Sequence, residues 1–343
     1  MLAAQYRKAH DLICTDLPMP EPAPGEALIR VLYGGICGSD MHVYAGKHPT
    51  AVFPVVPGHE FVGELVSVNG AMKTGIELGG LVVAQPYTSC GACEACVSGN
   101  DNVCVELRLL GAHRNGCFAE YVTVSANKVY SIPDTIDPKL AVLAEPLAVA
   151  VHDVRRSGLK VGQRVLIIGG GVIGLFIAMV AELAGGVVTI AEISEFRRAF
   201  AEGLGFVTLD PLDPNYAEDA KNAAQGGGFD VVFEVSGSKS GIRSMTDLVK
   251  ISGTVMIVGM SGEAFPVDTT SLFLKQADMR GVRIHSQASF AAAVDLLMGG
   301  NLNDKLVKMV SGIYPIARIG EAYEYMGGHS DFFKLLLKIG KED

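Results

Sequence analysis

Residues 164 to 192 limit the possible folds more than any other stretch. Arg164-Val-Leu-Ile-Ile168 reads as a short buried strand, Gly169-Gly-Gly171-Val172-Ile173-Gly174 as a tight turn, and Leu175 to Ala184 as a helix. A second apolar run, Val187 to Ala191, then ends at Glu192. Spaced glycines alone are weak evidence, but between a strand and a helix, with an acidic residue 18 positions after Gly174, they form a dinucleotide-binding fingerprint. Gly169 permits the turn, Gly171 admits the pyrophosphate to the backbone, and Gly174 lets the helix pack on the strand. The N–H groups of Val172 and Ile173, opening the helix, would hold the phosphates. Glu192 would accept hydrogen bonds from the ribose diol and repel a 2′-phosphate, which implies NAD. Arg197 and Arg198 leave room for some use of NADP.

The αβ rhythm continues through Phe206–Leu209, Asp230–Gly237 and Thr254–Gly259, with helical stretches between, and so predicts a parallel doubly wound sheet. Val235 and Val258, at strand ends, are expected to line the nicotinamide half of the site. Arg280 to His285 is read as the chain's return toward its first part. That first part is different: prolines at 18, 20, 22 and 24 precede an alternating run, Glu26 to Tyr33, as in short antiparallel strands. With 343 residues, two domains are the expectation.

Two cysteine patterns carry chemistry. Cys90, Cys93, Cys96 and Cys104 fall within 15 residues, a spacing that closes a tetrahedral thiolate shell around a structural zinc ion. Cys37, His59 and Glu60 supply a thiolate, an imidazole and a carboxylate, a mixture suited to a zinc ion with one open position. Cys37 and His59 stand 22 residues apart, so only a fold can join them. The remaining Cys14 and Cys117 are read as packing residues.

Gly-Ile-Cys37-Gly-Ser-Asp followed by Gly-His59-Glu60-Phe-Val-Gly resembles the zinc-dependent medium-chain dehydrogenases, in particular their polyol branch of sorbitol, L-idonate and L-threonine dehydrogenase relatives. The resemblance implies an α/β chain with a GroES-like β-rich catalytic domain, residues 1–150 and 286–343, and a Rossmann NAD-binding domain, residues 151–285. It implies one catalytic and one structural zinc. Glu145 would face the catalytic metal, directly or through water, leaving Glu60 and Glu145 as alternatives for the third protein ligand. Ser39 and His42 would relay the proton outward, with Cys37, His59, Glu60 and Glu145 completing the catalytic set, and Arg197 would flank the adenine. A homodimer or homotetramer is expected. The implied reaction moves hydride between a secondary alcohol of a polyol or sugar acid and NAD. The short Ala45–Pro57 loop, and Ile284-His285 where sorbitol dehydrogenases carry arginine and tyrosine, point away from sorbitol toward an L-idonate-like or L-gulonate-like substrate. L-threonine 3-dehydrogenase or a diol dehydrogenase is the nearest alternative. Zinc-free quinone reductases of the same fold lack both cysteine patterns, and a nucleotide-binding regulator would need neither.

A formal net charge of -9 gives no basic footprint for nucleic acid and suits a chain that handles small molecules. The first ten residues carry no apolar stretch of signal-peptide length, and the longest apolar run, Val165–Leu183, is broken by glycines. A cytoplasmic protein without a membrane partner is expected.

Overall fold

Five runs, most of them rich in valine and isoleucine, and one short polar strand in the second half of the chain pair into one fully parallel sheet. Across the sheet they run Val207–Leu209, Val187–Ala191, Arg164–Ile168, Phe229–Glu234, Val249–Ile257 and Asp278–Gly281, the third, second, first, fourth, fifth and sixth in chain order. Every residue of Phe229–Glu234 is buried, as expected where helices cover both faces. Leu166, Phe229, Val232, Met245 and Val255 form the centre of this core. The order reverses between Arg164–Ile168 and Phe229–Glu234, and such a switch point is where open parallel sheets bind ligands.

The computed structural model describes residues 1–339 and divides into two units: Val149–His285, which holds this sheet, and Met1–Ala148 together with the stretch from Ser286. The division falls inside the helix Ala144–Ser157. Asp278–Gly281 corrects the reading of Arg280 as a return segment, since Arg280 pairs with Met256 in the sixth strand. That strand is short and largely exposed, so no apolar run announced it.

The other unit is built on Glu26–Gly35 and Glu60–Asn69, paired antiparallel. Leu81–Ala84 and Val129–Ser131 extend the sheet on one side, and Lys334–Lys338 and Val310–Pro315 on the other. Tyr121–Ser125 pairs with the first half of Glu26–Gly35, while Lys334–Lys338 pairs with its end, Leu336 opposite Gly35. Ile29, Phe61, Leu65, Val82, Phe118, Leu335 and Leu337 fill the core. Cys117 lies in it, fully buried. Cys14 does not: it is exposed on Asp11–Asp16, a strand paired with Leu2–Lys8, and so is not the packing residue expected. Among the described residues, no helix is long and apolar enough to cross a membrane.

Candidate metal centre and dinucleotide turn

Strand register joins Cys37 to His59. Gly35 and Glu60 are cross-strand partners, so the chain leaving one strand at Gly35 and the chain entering its neighbour at Glu60 meet side by side. The donor atoms of Cys37, His59 and Glu60 all lie within 4.8 Å of one another, and both His59 and Glu60 are buried. A glycine is required at 35, because a Cβ there would stand 2.3 Å from Glu60 Oε2. Glu145 is buried but falls outside that 4.8 Å trio, although its charge acts on Glu60.

Cys37 caps the helix Gly38–Tyr44, and Asp40 in its first turn ties the segments carrying Cys37 and His59 together. Asp40 Oδ2 accepts from the Cys37 N–H at 2.9 Å, and its Oδ1 stands 3.4 Å from His59 Nδ1. Burial opposes a proton on His59, but Asp40 and then Cys37 hold it well above its ordinary value. Glu60 has a partner that sequence reasoning missed. Lys334, 2% exposed, donates to Glu60 Oε1 at 2.8 Å, to Oε2 at 2.7 Å and to the carbonyl of Ile36 at 3.2 Å. Burial alone would push the Lys334 ammonium down; Glu60 first, then Cys37 and Glu145, keep it protonated. Charge on the cluster is thus shared between the buried Lys334 and His59 cations and the thiol and carboxyl groups beside them, which a bound metal would hold deprotonated.

The four spaced cysteines fit zinc by their own geometry. Their sulfurs stand 3.5 Å (Cys93–Cys96 and Cys90–Cys104), 3.8 Å (Cys93–Cys104) and 3.9 Å (Cys90–Cys96) apart. Four sulfurs about 2.3 Å from a tetrahedral zinc would be about 3.8 Å from one another. Backbone N–H groups of Cys96 and Val105 pull the Cys93 thiol down to about 6. Burial, then Cys93, pushes the Cys96 thiol up to about 12. Four thiolates this close repel, and a divalent cation is what lets all of them ionise together.

Gly169–Gly174 sits between Arg164–Ile168 and the helix Val172–Leu183, whose N-cap is Gly171. A Cβ on Gly174 would stand 1.9 Å from the Gly169 carbonyl oxygen, whereas one on Gly171 would meet only Arg197 Nη1, at 3.9 Å. The turn therefore packs through its third glycine and stays open at its second, the cradle a pyrophosphate needs. Glu192, at the end of the next strand, accepts from the N–H of Gly170 at 2.7 Å and of Ser194 at 2.8 Å. Among the described residues, Arg197 Nε is a buried donor without a hydrogen-bond partner. Arg198 is committed: it donates to the carbonyls of Glu192 and Ile193 and pairs with Asp210 at 2.9 Å. Val235 and Val258 directly follow the neighbouring strands Phe229–Glu234 and Val249–Ile257, half-buried at their carboxyl ends.

The sequence profile of the alcohol dehydrogenase GroES-like domain matches residues 23–134, and that of the zinc-binding dehydrogenases matches residues 172–299. A 2-dehydro-3-deoxy-L-galactonate 5-dehydrogenase of Pseudoalteromonas atlantica is 35% identical over 343 residues, covering 100% of both chains. The chain belongs to the zinc-dependent medium-chain dehydrogenases. Its place is in their polyol branch: an L-galactonate-5-dehydrogenase of Escherichia coli is 33% identical, over 92% of each chain. The crystal structure of L-idonate 5-dehydrogenase from Escherichia coli superposes with a TM-score of 0.90 at 28% identity, covering 98% of this chain and 97% of that one.

In this dehydrogenase Ser39 and His42 lie one helical turn apart on Gly38–Tyr44, both half-buried. Phe118 is fully buried, and a Cβ on Gly58 would lie 2.3 Å from its ring, so it packs beneath the loop that delivers His59. The partner Lys334 escaped sequence reasoning because an isolated lysine in Phe-Phe-Lys-Leu-Leu-Leu reads as a solvated interruption of a strand. Its one signal is position: on a strand with both neighbours apolar, a charged side chain pointing inward needs a buried counter-ion.

Proposed function

We propose that this dehydrogenase oxidises the carbon-5 secondary alcohol of a six-carbon sugar acid, or reduces the matching ketone, with NAD as hydride carrier. The observation that carries the reading is the Cys37–His59–Glu60 trio in a chain whose three relatives described above all bear names of sugar-acid 5-dehydrogenases. In the oxidising direction the C–H bond gives its electron pair and hydrogen to the cofactor, the O–H proton goes to solvent, and a ketone remains.

A zinc ion held by Cys37 and His59, with Glu60 or Glu145 beside it, would act as a Lewis acid on the substrate hydroxyl. A second zinc on Cys90, Cys93, Cys96 and Cys104 would be structural. Asp40 faces Nδ1 of His59 and so reserves Nε2 for the metal, fixing the tautomer. Lys334 neutralises Glu60 and keeps that carboxylate from competing for the open position. Ser39 takes the hydroxyl proton as it passes its own on, and His42, one helical turn along, hands it outward. NAD would be held by Gly169, Gly171, Val172, Ile173 and Gly174 at its pyrophosphate and by Glu192 at the adenosine ribose. Arg197 flanks the adenine, and Val235 and Val258 the nicotinamide. Of the two adjacent arginines, Arg198 is occupied by Asp210 and Arg197 is left to meet a 2′-phosphate, which favours NAD over NADP. A cytoplasmic homodimer or homotetramer completes the reading.

The test is a substrate panel of L-galactonate, 2-dehydro-3-deoxy-L-galactonate, L-idonate, L-gulonate, sorbitol, 2,3-butanediol and L-threonine, each with NAD and NADP. The highest kcat/KM is expected for a sugar acid with NAD. A higher value for threonine or butanediol would overturn the substrate assignment, and full activity of Cys37→Ala would overturn the metal centre.

A further inference from the structure

Two buried phenols stand behind the Cys37 loop. Tyr6, fully buried on the strand Leu2–Lys8, donates its hydroxyl to the main-chain carbonyl of Asp40 at 3.1 Å. The same Tyr6 oxygen meets the hydroxyl of Tyr323, which is 4% exposed on the helix Ile319–Gly328. A phenol has one proton, so with the Tyr6 proton on Asp40 the Tyr323 hydroxyl must donate to Tyr6. Both rings also pack on Tyr44, the last residue of the helix that begins after Cys37, with centroids 5.9 Å (Tyr6) and 5.5 Å (Tyr323) away.

We propose that Tyr6 and Tyr323 are positioning residues for the metal centre, a hydroxyl brace that sets Asp40 and through it the relative placement of Cys37 and His59. The inference rests on the reading of Cys37 and His59 as metal ligands. Asp40 is held at three points: its carbonyl by Tyr6, one carboxylate oxygen by the Cys37 N–H, and the other beside His59 Nδ1. Its side chain can serve both ligands only while its main chain stays in place. The helix carrying it has seven residues, too few to hold its shape unaided, so tertiary contacts decide where it sits. Burial first raises both phenols, followed by Asp40 for Tyr6 and by Tyr6 and then Asp40 for Tyr323, so the brace keeps its protons throughout the working pH range. Its two hydroxyls are 317 residues apart in sequence, so the metal site is finished only by chain that arrives after residue 286.

The test uses the full chain with cobalt(II) exchanged into the catalytic site, comparing wild type, Tyr6→Phe, Tyr323→Phe and the double variant. Removing the Tyr6 hydroxyl should speed cobalt release to a chelator about five-fold, the loss of roughly one hydrogen bond. It should also shift the cobalt d–d bands and lower kcat, leaving KM for NAD unchanged. Tyr323→Phe should do less, since Tyr6 still reaches Asp40, and the double variant should match Tyr6→Phe. A Tyr6→Phe protein with a lower Tm but wild-type release rate and spectrum would overturn the brace, as would a larger effect from Tyr323→Phe. If Tyr6→Phe fails to fold, Tyr323→Phe decides alone: a wild-type spectrum and release rate in it overturn the proposal. If wild type itself shows no thiolate–cobalt band that Cys37→Ala removes, the ligand reading fails rather than the brace.

Discussion

Lys334 clamps both oxygens of Glu60, at 2.7 and 2.8 Å, from a strand 274 residues further along the chain. The two side chains are 3% and 1% exposed, so neither can turn to water for compensation. Removing one partner of such a pair leaves an uncompensated buried charge and costs roughly 3–5 kcal/mol. Lys334→Met should therefore lower unfolding stability by about that amount, while adding Glu60→Gln should recover a large part of it. Urea unfolding of the single and double variants checks this; equal stability of Lys334→Met and wild type would show that the pair is not buried as described.

Metal removal should act first on the four-cysteine lobe. Cys104→Ser takes away the buried member of the set, and one zinc fewer per chain is expected, together with new protease cleavage between residues 89 and 107. Metal analysis and limited proteolysis read the two effects separately, and unchanged zinc content would reject the structural site.

Glu192 should decide between the two nicotinamide cofactors. Hydrogen bonds to a charged group contribute roughly 1.5–3 kcal/mol. Glu192→Ala is accordingly expected to lower kcat/KM with NAD about 10- to 100-fold and to change the NADP value far less. Steady-state kinetics with both cofactors measures the ratio; an equal loss with both would mean that Glu192 acts only through its bonds to Gly170 and Ser194.

Asp153 gives a pH dependence with a definite sign. It is fully buried in Ala144–Ser157, neither carboxylate oxygen has a hydrogen-bond partner among the described residues, and burial raises its carboxyl well above the ordinary value. The folded state therefore keeps this proton longer than the unfolded state does. Below the ordinary carboxylate range, about pH 4, both states are protonated and ionisation costs nothing. As pH rises from there toward the folded-state value, stability falls. Asp153→Asn should remove that decline and gain most over wild type at pH 8 to 9. Denaturant midpoints from pH 5 to 9 test it, and parallel curves for the two proteins would refute it.

Some of this chain could be read from local spacing alone. Gly169, Gly171, Gly174 and Glu192 are separated by covalent distance that a strand, a turn and a helix must consume, so their grouping follows from chain geometry. The same holds for the four cysteines, which need only a short loop to bring their sulfurs within 4.8 Å of one another. Cys37, His59 and Glu60 were legible as residue types, but their meeting required the register that sets Gly35 opposite Glu60. The Tyr6–Tyr323 pair and the sixth strand at Asp278–Gly281 left no local pattern, and Lys334 left only its place between apolar neighbours, with nothing to name its partner. Each depends on which distant strand or helix lies next to it, a choice made by burial of the whole core. Residue chemistry and spacing determined what the sites contain; strand order and packing decided which charges and hydroxyls surround them, because those neighbours come from parts of the chain no local rule connects.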